Sequence, residues 1–501
     1  MSGVADINED QSGFSPSAMP RESWFFPFLA VVAVVKLTLL LALGTTEFPD
    51  TAGYVGLADG ILHDPGWWRD GGWADGYAPP RLLRPYGYPL LAAAAQLVTR
   101  QGYTLVLAFL QSAASVAVLA LLGWVARRLV ASSSLRFCLL ALCASSGFAL
   151  FDLAVLPDSL YASLFVTVFL LLAAQTLELL TPRLGLTLLL GGVWALSITL
   201  RDVGLLHSVL PLVGVMVVGY CRRLSLRRAL LHALAFAVPV AAMATAVVQW
   251  NLFRTGHAFF SITGGINWLW PSINMADRGL ADPFACADLV CRTAKSLGPG
   301  KGMEGAFGIA DALWSNYHLN PAEFGALTFA HFLGAVRAHP LAFVSSMLGN
   351  LQFGHLSELV FSPLANANEL SRLHATPGQR LLPAIRETWQ AVRHGALWQA
   401  PALLLIALMS AGSNVALLLT IVATPVSAMR SLLRGDDRRA LVALYFWTVA
   451  VMFIASYCLV HMEMRHALPT VPLILLAFGW TIAPWWGKVR LNRLATHGAP
   501  S

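Results

Sequence analysis

The chain has 501 residues, of which 57% are hydrophobic and only 12% are charged. A soluble domain carries about 25% charged residues, so the deficit excludes an ordinary water-soluble enzyme and predicts an all-α polytopic integral membrane protein. The formal charge of +7 would suit nucleic acid in a soluble protein. Here it sits in short clusters between apolar runs, as cytoplasmic loops require, and no nucleic-acid partner is expected.

Residues 1–23 are polar and carry Asp6, Glu9 and Asp10; they read as a cytoplasmic tail. The apolar run Trp24–Leu43 is longer than a signal core and has no small-residue cleavage pattern after it, so it reads as a retained first span. Further runs follow at 103–126, 134–151, 158–180, 185–200, 203–220, 229–250, 401–429, 440–460 and 466–486. Each is near the roughly 20 residues a span needs. Placing Arg127 and Arg128, Arg222 to Arg228, Arg430 to Arg439 and Lys488 to Arg493 inside gives about ten transmembrane helices with both termini cytoplasmic. Leu341–Phe361 is apolar, but as a span it would put Arg430 to Arg439 outside. It also contains Asn350, Gln352, His355 and Glu358, and reads as an interfacial or re-entrant helix. Lys36, in the middle of the first span, predicts a carboxylate partner.

This topology divides the chain into the tail 1–23, a module of about seven spans at 24–250, an outer loop at 251–400 and about three C-terminal spans at 401–501. Cys286 and Cys291 lie in the outer loop, where a disulfide and two free thiols are both open; an oxidising compartment favours the first. "GPGKGM", Gly298 to Met303, lacks the Ser or Thr that a phosphate-binding loop needs after its Lys and reads as plain loop.

The remaining ionisable residues collect at the outer membrane exits: Asp50, Arg84, Asp158, Arg201, Asp202, Glu463 and Arg465. Charges at the edge of hydrocarbon have a partner or a task. After Asp50, residues Tyr54, Leu57, Ala58, Ile61 and Leu62 recur at helical spacing and predict an amphipathic helix on the membrane surface. Asp50 either caps that helix or does chemistry. Arg84 opens "RPYGYP" and either binds phosphate or snorkels. Asp158 follows Pro157 in a helix first turn, and Arg201 with Asp202 reads equally as a simple pair.

Taken in order, Asp50 with Tyr54 four residues on, then "RPYGYP", "LPDSLY", "LRDVGLL" and "MRHALPTVPLILL", resemble the membrane-embedded C-type glycosyltransferases (GT-C). Within these the chain is similar to the bacterial relatives of protein O-mannosyltransferases and lipid A aminoarabinose transferases. "FFSITGGINWLWPS", Phe259 to Ser272, resembles the family's Gly-Gly-Asn segment. The resemblance implies a GT-C-like topology with one large extracytoplasmic loop, in a bacterial inner membrane, and a polyprenyl-phosphate sugar as donor. It further implies Asp50 as the catalytic general base, with donor phosphate on Arg84 and Arg201. Asp158, Tyr54, Tyr88, Glu463 and Arg465 would support the site or hold substrate. Some members bind a divalent metal, for which Asp158, His461 and Glu463 would be the ligands. The sequence departs from the family where Asp50 is followed by Thr51 rather than Glu, and where His466 replaces Tyr. Both departures bear on the acceptor, which stays unassigned. The competing expectation is a transporter or flippase of lipid-linked sugar, which would place charged or Gly/Pro-broken sites near the middle of several spans.

Overall fold

The computed structural model describes residues 22–48, 50–69, 83–298, 303–351, 419–435, 437–460, 462 and 464–497. Among these the chain is helical, with one isolated parallel bridge between Thr46 and Ala154. Chain order runs α1 (Phe25–Leu43), α2 (Thr51–His63), α3 (Gly87–Val98), α4 (Tyr103–Leu129), α5 (Ser133–Ser145), α6 (Gly147–Leu150), α7 (Asp158–Thr176), α8 (Leu184–Leu200), α9 (Val203–Leu206), α10 (Val209–Cys221) and α11 (Leu226–Thr255). Six shorter helices follow: α12 (Thr263–Asn267), α13 (Trp270–Asp277), α14 (Leu289–Leu297), α15 (Met303–Tyr317), α16 (Pro321–Ala338) and α17 (Pro340–Asn350). The last three are α18 (Leu419–Leu432), α19 (Asp437–Cys458) and α20 (Val471–His497).

Among the described residues, six helical stretches are long and apolar enough to cross a membrane, or eight if each of two bent pairs is one span. The architecture is therefore that of a multi-pass membrane protein. Three further expected spans coincide with shorter apolar helices, Phe25–Leu41, Leu184–Leu200 and Leu419–Leu432. The run expected at 134–151 is broken, because α5 and the short helices after it meet at 57°. The first part of the run at 401–429 lies outside the described residues, as do residues 352–361 of the expected interfacial helix. Its described part, α17, folds back on α16 with a bend of 107°. Pro340 at the start of α17 accounts for the break, since the residue before a proline is pushed out of helical conformation; His339 there has φ −132 and ψ 55.

Helix ends follow local chemistry. Ser132, Ser225 and Asp288 accept backbone N–H bonds at the starts of α5, α11 and α14, and Asn320 with Glu323 forms a capping box on α16. At its other end α11 stops on Gly256, whose φ of 75° suits the left-handed turn that glycine adopts freely.

The bundle is ordered by burial. Within its apolar window α7 is 78% buried and forms the centre, whereas α11 is 11% buried and presents its long apolar side outward. Lipid is as apolar as leucine, so close packing rather than hydrophobic transfer holds such helices together. Gly191 lets α8 approach the α11 backbone at Phe236, where a Cβ would collide. Trp194, Phe165, Phe169 and Phe453 interlock around α7.

Lys36 does find its carboxylate. Its ammonium donates to Asp152 and to the Ala149 carbonyl. Asp152 also accepts from Ser115 at 2.5 Å and from Ser159, and Gln111 donates to the Asp152 and Ala154 carbonyls at 2.7 and 2.9 Å. This knot ties α1, α4 and α7 together with every buried polar end matched.

The two ends of the bundle differ. One end gathers basic residues, with Glu22 against Arg127 and Arg136, and Glu178 against Arg222 and Arg438. The other, about 30 Å away along a span of some 20 residues, carries Asp50, Arg84, Asp158, Arg201 and Arg465. Above this second end, α12 to α16 enclose their own core of Ile266, Leu269, Ile273, Leu313, Trp314 and Phe324.

Candidate active site

Asp50 stands at the start of α2, but its side chain makes no cap hydrogen bond. Its two carboxylate oxygens instead meet two guanidinium groups: Oδ1 accepts from Arg84 Nη2 at 2.5 Å, and Oδ2 from Arg465 Nη2 at 2.5 Å. Simple capping is thus overturned by a better offer, since charge-assisted bonds are about twice as strong as neutral ones. Residues 415 apart in sequence meet here.

Backbone contacts fix the position of Asp50. Thr46 N–H donates to Leu153 O at 2.9 Å, and Val155 N–H donates to Thr46 O at 3.0 Å. Thr51 Oγ1 donates to Val155 O at 3.1 Å while accepting from Phe48 N–H at 2.9 Å. The start of α2 is thereby stitched to the segment leading into α7. The predicted amphipathic face is real: Thr51, Tyr54, Leu57 and Ala58 are the buried side of α2.

Arg84 lies over the ring of Tyr54, with Cζ 5.4 Å from the centroid. Burial raises the Tyr54 hydroxyl above its usual pKa, with the positive field of Arg84 as the main opposing influence. The phenol therefore stays protonated at neutral pH. Tyr88 is fully buried and its hydroxyl donates to Gln111 at 3.0 Å, which places it in the scaffold under α3. Next to it, Gly87 sits against Thr199 of α8, where a Cβ would collide.

Arg201 does not pair with Asp202, contrary to the simplest sequence expectation. It faces Asp158 instead, Nη1 to Oδ1 2.9 Å, across the starts of α7 and α9. The alignment makes this a charge contact rather than a formed hydrogen bond, because Asp158 Oδ1 has no hydrogen-bond donor. Asp202 caps α9 through Oδ1 and accepts from Ser261 at 2.5 Å through Oδ2. The Phe259–Ser272 segment thus closes onto the site at Ser261, and Thr263 Oγ1 binds the Leu83 carbonyl beside Arg84 at 2.8 Å.

Arg84 and Asp202 both line a cavity of about 820 Å³. Leu90, Leu91, Leu160, Leu164, Leu196 and Val247 build its apolar wall, and Asn251 and Ser261 add polarity near the charged residues. Asp50 does not itself line the cavity; Arg84 links the two. Trp68 and Trp250 form the rim, joined by a bond from Trp250 Nε1 to Trp68 O at 3.1 Å. Behind them Arg254 lies 4.4 Å from the Trp250 centroid and 4.7 Å from that of Tyr86. Asp202 as a cavity wall, Ser261, Trp68, Trp250 and Arg254 were not singled out from sequence for this site. For Trp250 and Arg254 a signal was "WNLFR", where Trp250, Asn251 and Arg254 share one face at the end of a mostly apolar helix.

Of the residues suggested as metal ligands, Asp158 faces Arg201, while His461 and Glu463 lie outside the described residues. Cys286 and Cys291 form a disulfide with Cα atoms 5.7 Å apart. Asp288 and His331 adjoin it, paired Oδ2 to Nδ1 at 3.0 Å, and the four ligand-type atoms fall within 4.8 Å of one another. With both sulfurs bonded to each other this group reads as a clasp between α14 and α16.

No family model and no curated protein matches the chain. Among solved structures the chain is similar to the archaeal oligosaccharyltransferase AglB from Archaeoglobus fulgidus in complex with an inhibitory peptide and a dolichol-phosphate. The identity is 14% and the TM-score 0.47, over 96% of this chain and 52% of that one. The apo form of the Archaeoglobus fulgidus oligosaccharyltransferase matches at 15% identity and a TM-score of 0.48, over 96% and 53%. ArnT from Cupriavidus metallidurans bound to undecaprenyl phosphate matches at 15% identity and a TM-score of 0.35, over 96% and 82%. The chain spans about half the length of the archaeal oligosaccharyltransferase.

Proposed function

We propose that the protein is a glycosyltransferase that moves a sugar from a polyprenyl-phosphate donor to an acceptor hydroxyl at the extracytoplasmic face of a bacterial inner membrane. The observation that carries this reading is the cavity, apolar along its walls, with the Arg84 guanidinium in its lining and the Asp202 carboxylate there held by Ser261 and the start of α9. Such a shape suits a ligand with a long apolar tail and an anionic head. The sequence motifs that resemble the C-type glycosyltransferases surround the same end, which supports the reading further.

The chemistry follows from the arrangement. The acceptor oxygen attacks the anomeric carbon and its proton passes to Asp50 as general base. The bond from that carbon to the phosphate oxygen breaks, and polyprenyl phosphate leaves with the electron pair. The single displacement inverts the anomeric carbon. Phosphate is already a good leaving group, so the site needs a cation for its growing charge more than a general acid. Arg84 is that cation. It rests on Asp50 Oδ1 and also lines the cavity, so donor phosphate competes with Asp50 for the same guanidinium. Its transfer to phosphate exposes Oδ1 as proton acceptor, while Arg465 keeps the carboxylate oriented through Oδ2. Arg201 is absent from the cavity lining and supports the site through Asp158.

A transporter is disfavoured by Lys36, the charge nearest the middle of a span: Asp152 and its hydroxyl partners enclose it, leaving no path. The deciding experiment incubates purified protein with a panel of labelled polyprenyl-phosphate sugars, alongside Asp50→Asn. Release of polyprenyl phosphate by wild type and its loss in the variant are expected. Movement of lipid-linked sugar across vesicles without release would favour the transporter.

A further inference from the structure

At the basic end of the bundle, far from the candidate active site, α18, α19 and α20 enclose a second cavity of about 580 Å³. Ser427, Arg430 and Ser431 line it, spaced three and four residues apart on one face of α18, and Arg434 joins them from the turn just after that helix. Arg439 joins them from the first turn of α19. Across the cavity stand Trp480 and Trp485 of α20. Its deeper margin is pinned by a hydrogen bond between the Thr424 and Thr481 hydroxyls at 2.8 Å, both buried.

The charge balance is unusual for this end. Arg127, Arg136, Arg222 and Arg438 all have a carboxylate partner. Among the described residues, Arg430, Arg434 and Arg439 have none, and no acidic residue lines the cavity. These three guanidinium groups border one concavity, where a single anion could be bound by all of them. Basic residues here would set membrane orientation wherever they pointed; that role does not call for a shared cavity or for two hydroxyls between the arginines. Trp485, 75% exposed, marks the depth, since tryptophan favours the headgroup level.

We propose that this cavity is a binding site for the headgroup of an anionic phospholipid. Arg430, Arg434 and Arg439 take the phosphate oxygens, Ser427 and Ser431 donate to the remaining headgroup oxygens, and the acyl chains run along the apolar surface beside α18, where Val422 and Val426 are exposed. Basic pockets between spanning helices on the cytoplasmic side hold such headgroups. The proposal does not depend on the transfer reaction, because it concerns the opposite end of the molecule.

The test uses the full chain, equilibrated with vesicles of equal phosphatidylglycerol and phosphatidylcholine, then extracted gently and weighed intact by native mass spectrometry. Wild type is expected to retain phosphatidylglycerol over phosphatidylcholine at least about tenfold. The triple variant Arg430→Gln, Arg434→Gln, Arg439→Gln should lose that preference. Ser427→Phe, which keeps every charge but fills the cavity, should lose it too and decides the matter if the triple variant does not fold. Equal retention of both lipids by wild type, or an unchanged preference in Ser427→Phe, would overturn the proposal. So would displacement of the lipid by millimolar inorganic phosphate, since that outcome assigns the cavity to a free anion.

Discussion

Two groups of opposite charges lie within the same bundle and behave differently. Lys36 and Asp152 are 6% and 1% exposed, one cation to one anion, with Ser115 and Ser159 on the carboxylate. Asp50, Arg84 and Arg465 are 21%, 29% and 12% exposed, one carboxylate shared by two guanidinium groups, and Arg84 borders a cavity. The first group is complete and closed, which is how a buried ion pair is tolerated at all. The second has an open side where Arg84 meets the cavity, as a site that takes a ligand would. Ion pairing alone therefore says little about role; exposure and access to space separate scaffold from site.

The largest effect should come from the open group. Asp50→Asn is expected to lower transfer by about 10²- to 10⁴-fold, the usual scale of general-base catalysis, while the thermal midpoint stays near wild type. Retained turnover, read as polyprenyl phosphate released, would make Asp50 a second scaffold carboxylate. Asp152→Ala should do the reverse. It leaves Lys36 unpaired in the bundle and is expected to cost about 3–5 kcal/mol of stability, seen as a fall in unfolding midpoint, with turnover per folded molecule unchanged. A variant that unfolds no more easily would dissolve the distinction.

Arg84→Gln sharpens the comparison. It should raise the donor KM by about 10- to 100-fold, the worth of one hydrogen bond to a charged group, with the KM for acceptor little altered. A matching rise for acceptor would move Arg84 out of the phosphate role. The smallest effect is expected from Cys286→Ser. Opening a ring that closes a sequence separation of 5 costs at most about 2 kcal/mol, confined to α14 and α16 and visible as faster amide exchange there. Loss of transfer in that variant would tie the clasp to the site.

Much of the fold was legible because each span writes its length and its flanking arginines into the sequence. Hydrophobic runs located the helices, and the same arginines gather at one end of the structure. The broken α5–α6 segment was not legible, since periodicity cannot register a bend at Ser146 between two apolar pieces. Asp50 and Arg84 could be nominated singly, each with an ordinary alternative, and Arg465 through the resemblance. Their junction could not be read, because it joins positions 415 residues apart. Arg201 was set beside the wrong aspartate for a related reason: adjacent residues on a tight turn point apart, and the partner came from another helix. The cavity escaped notice because ordinary leucines on α3, α7 and α8 build it.

The bridge between Thr46 and Ala154 has a consequence for how such a protein can diverge. Main-chain atoms hold the chain leading to Asp50 against the segment before α7, with the Thr51 hydroxyl and the Phe48–Phe151 ring contact beside them. Every residue except proline brings the same N–H and C=O. The neighbouring side chains can therefore be exchanged widely while the carboxylate keeps its coordinates. Kinship among such chains should fade from their letters well before it fades from their shape.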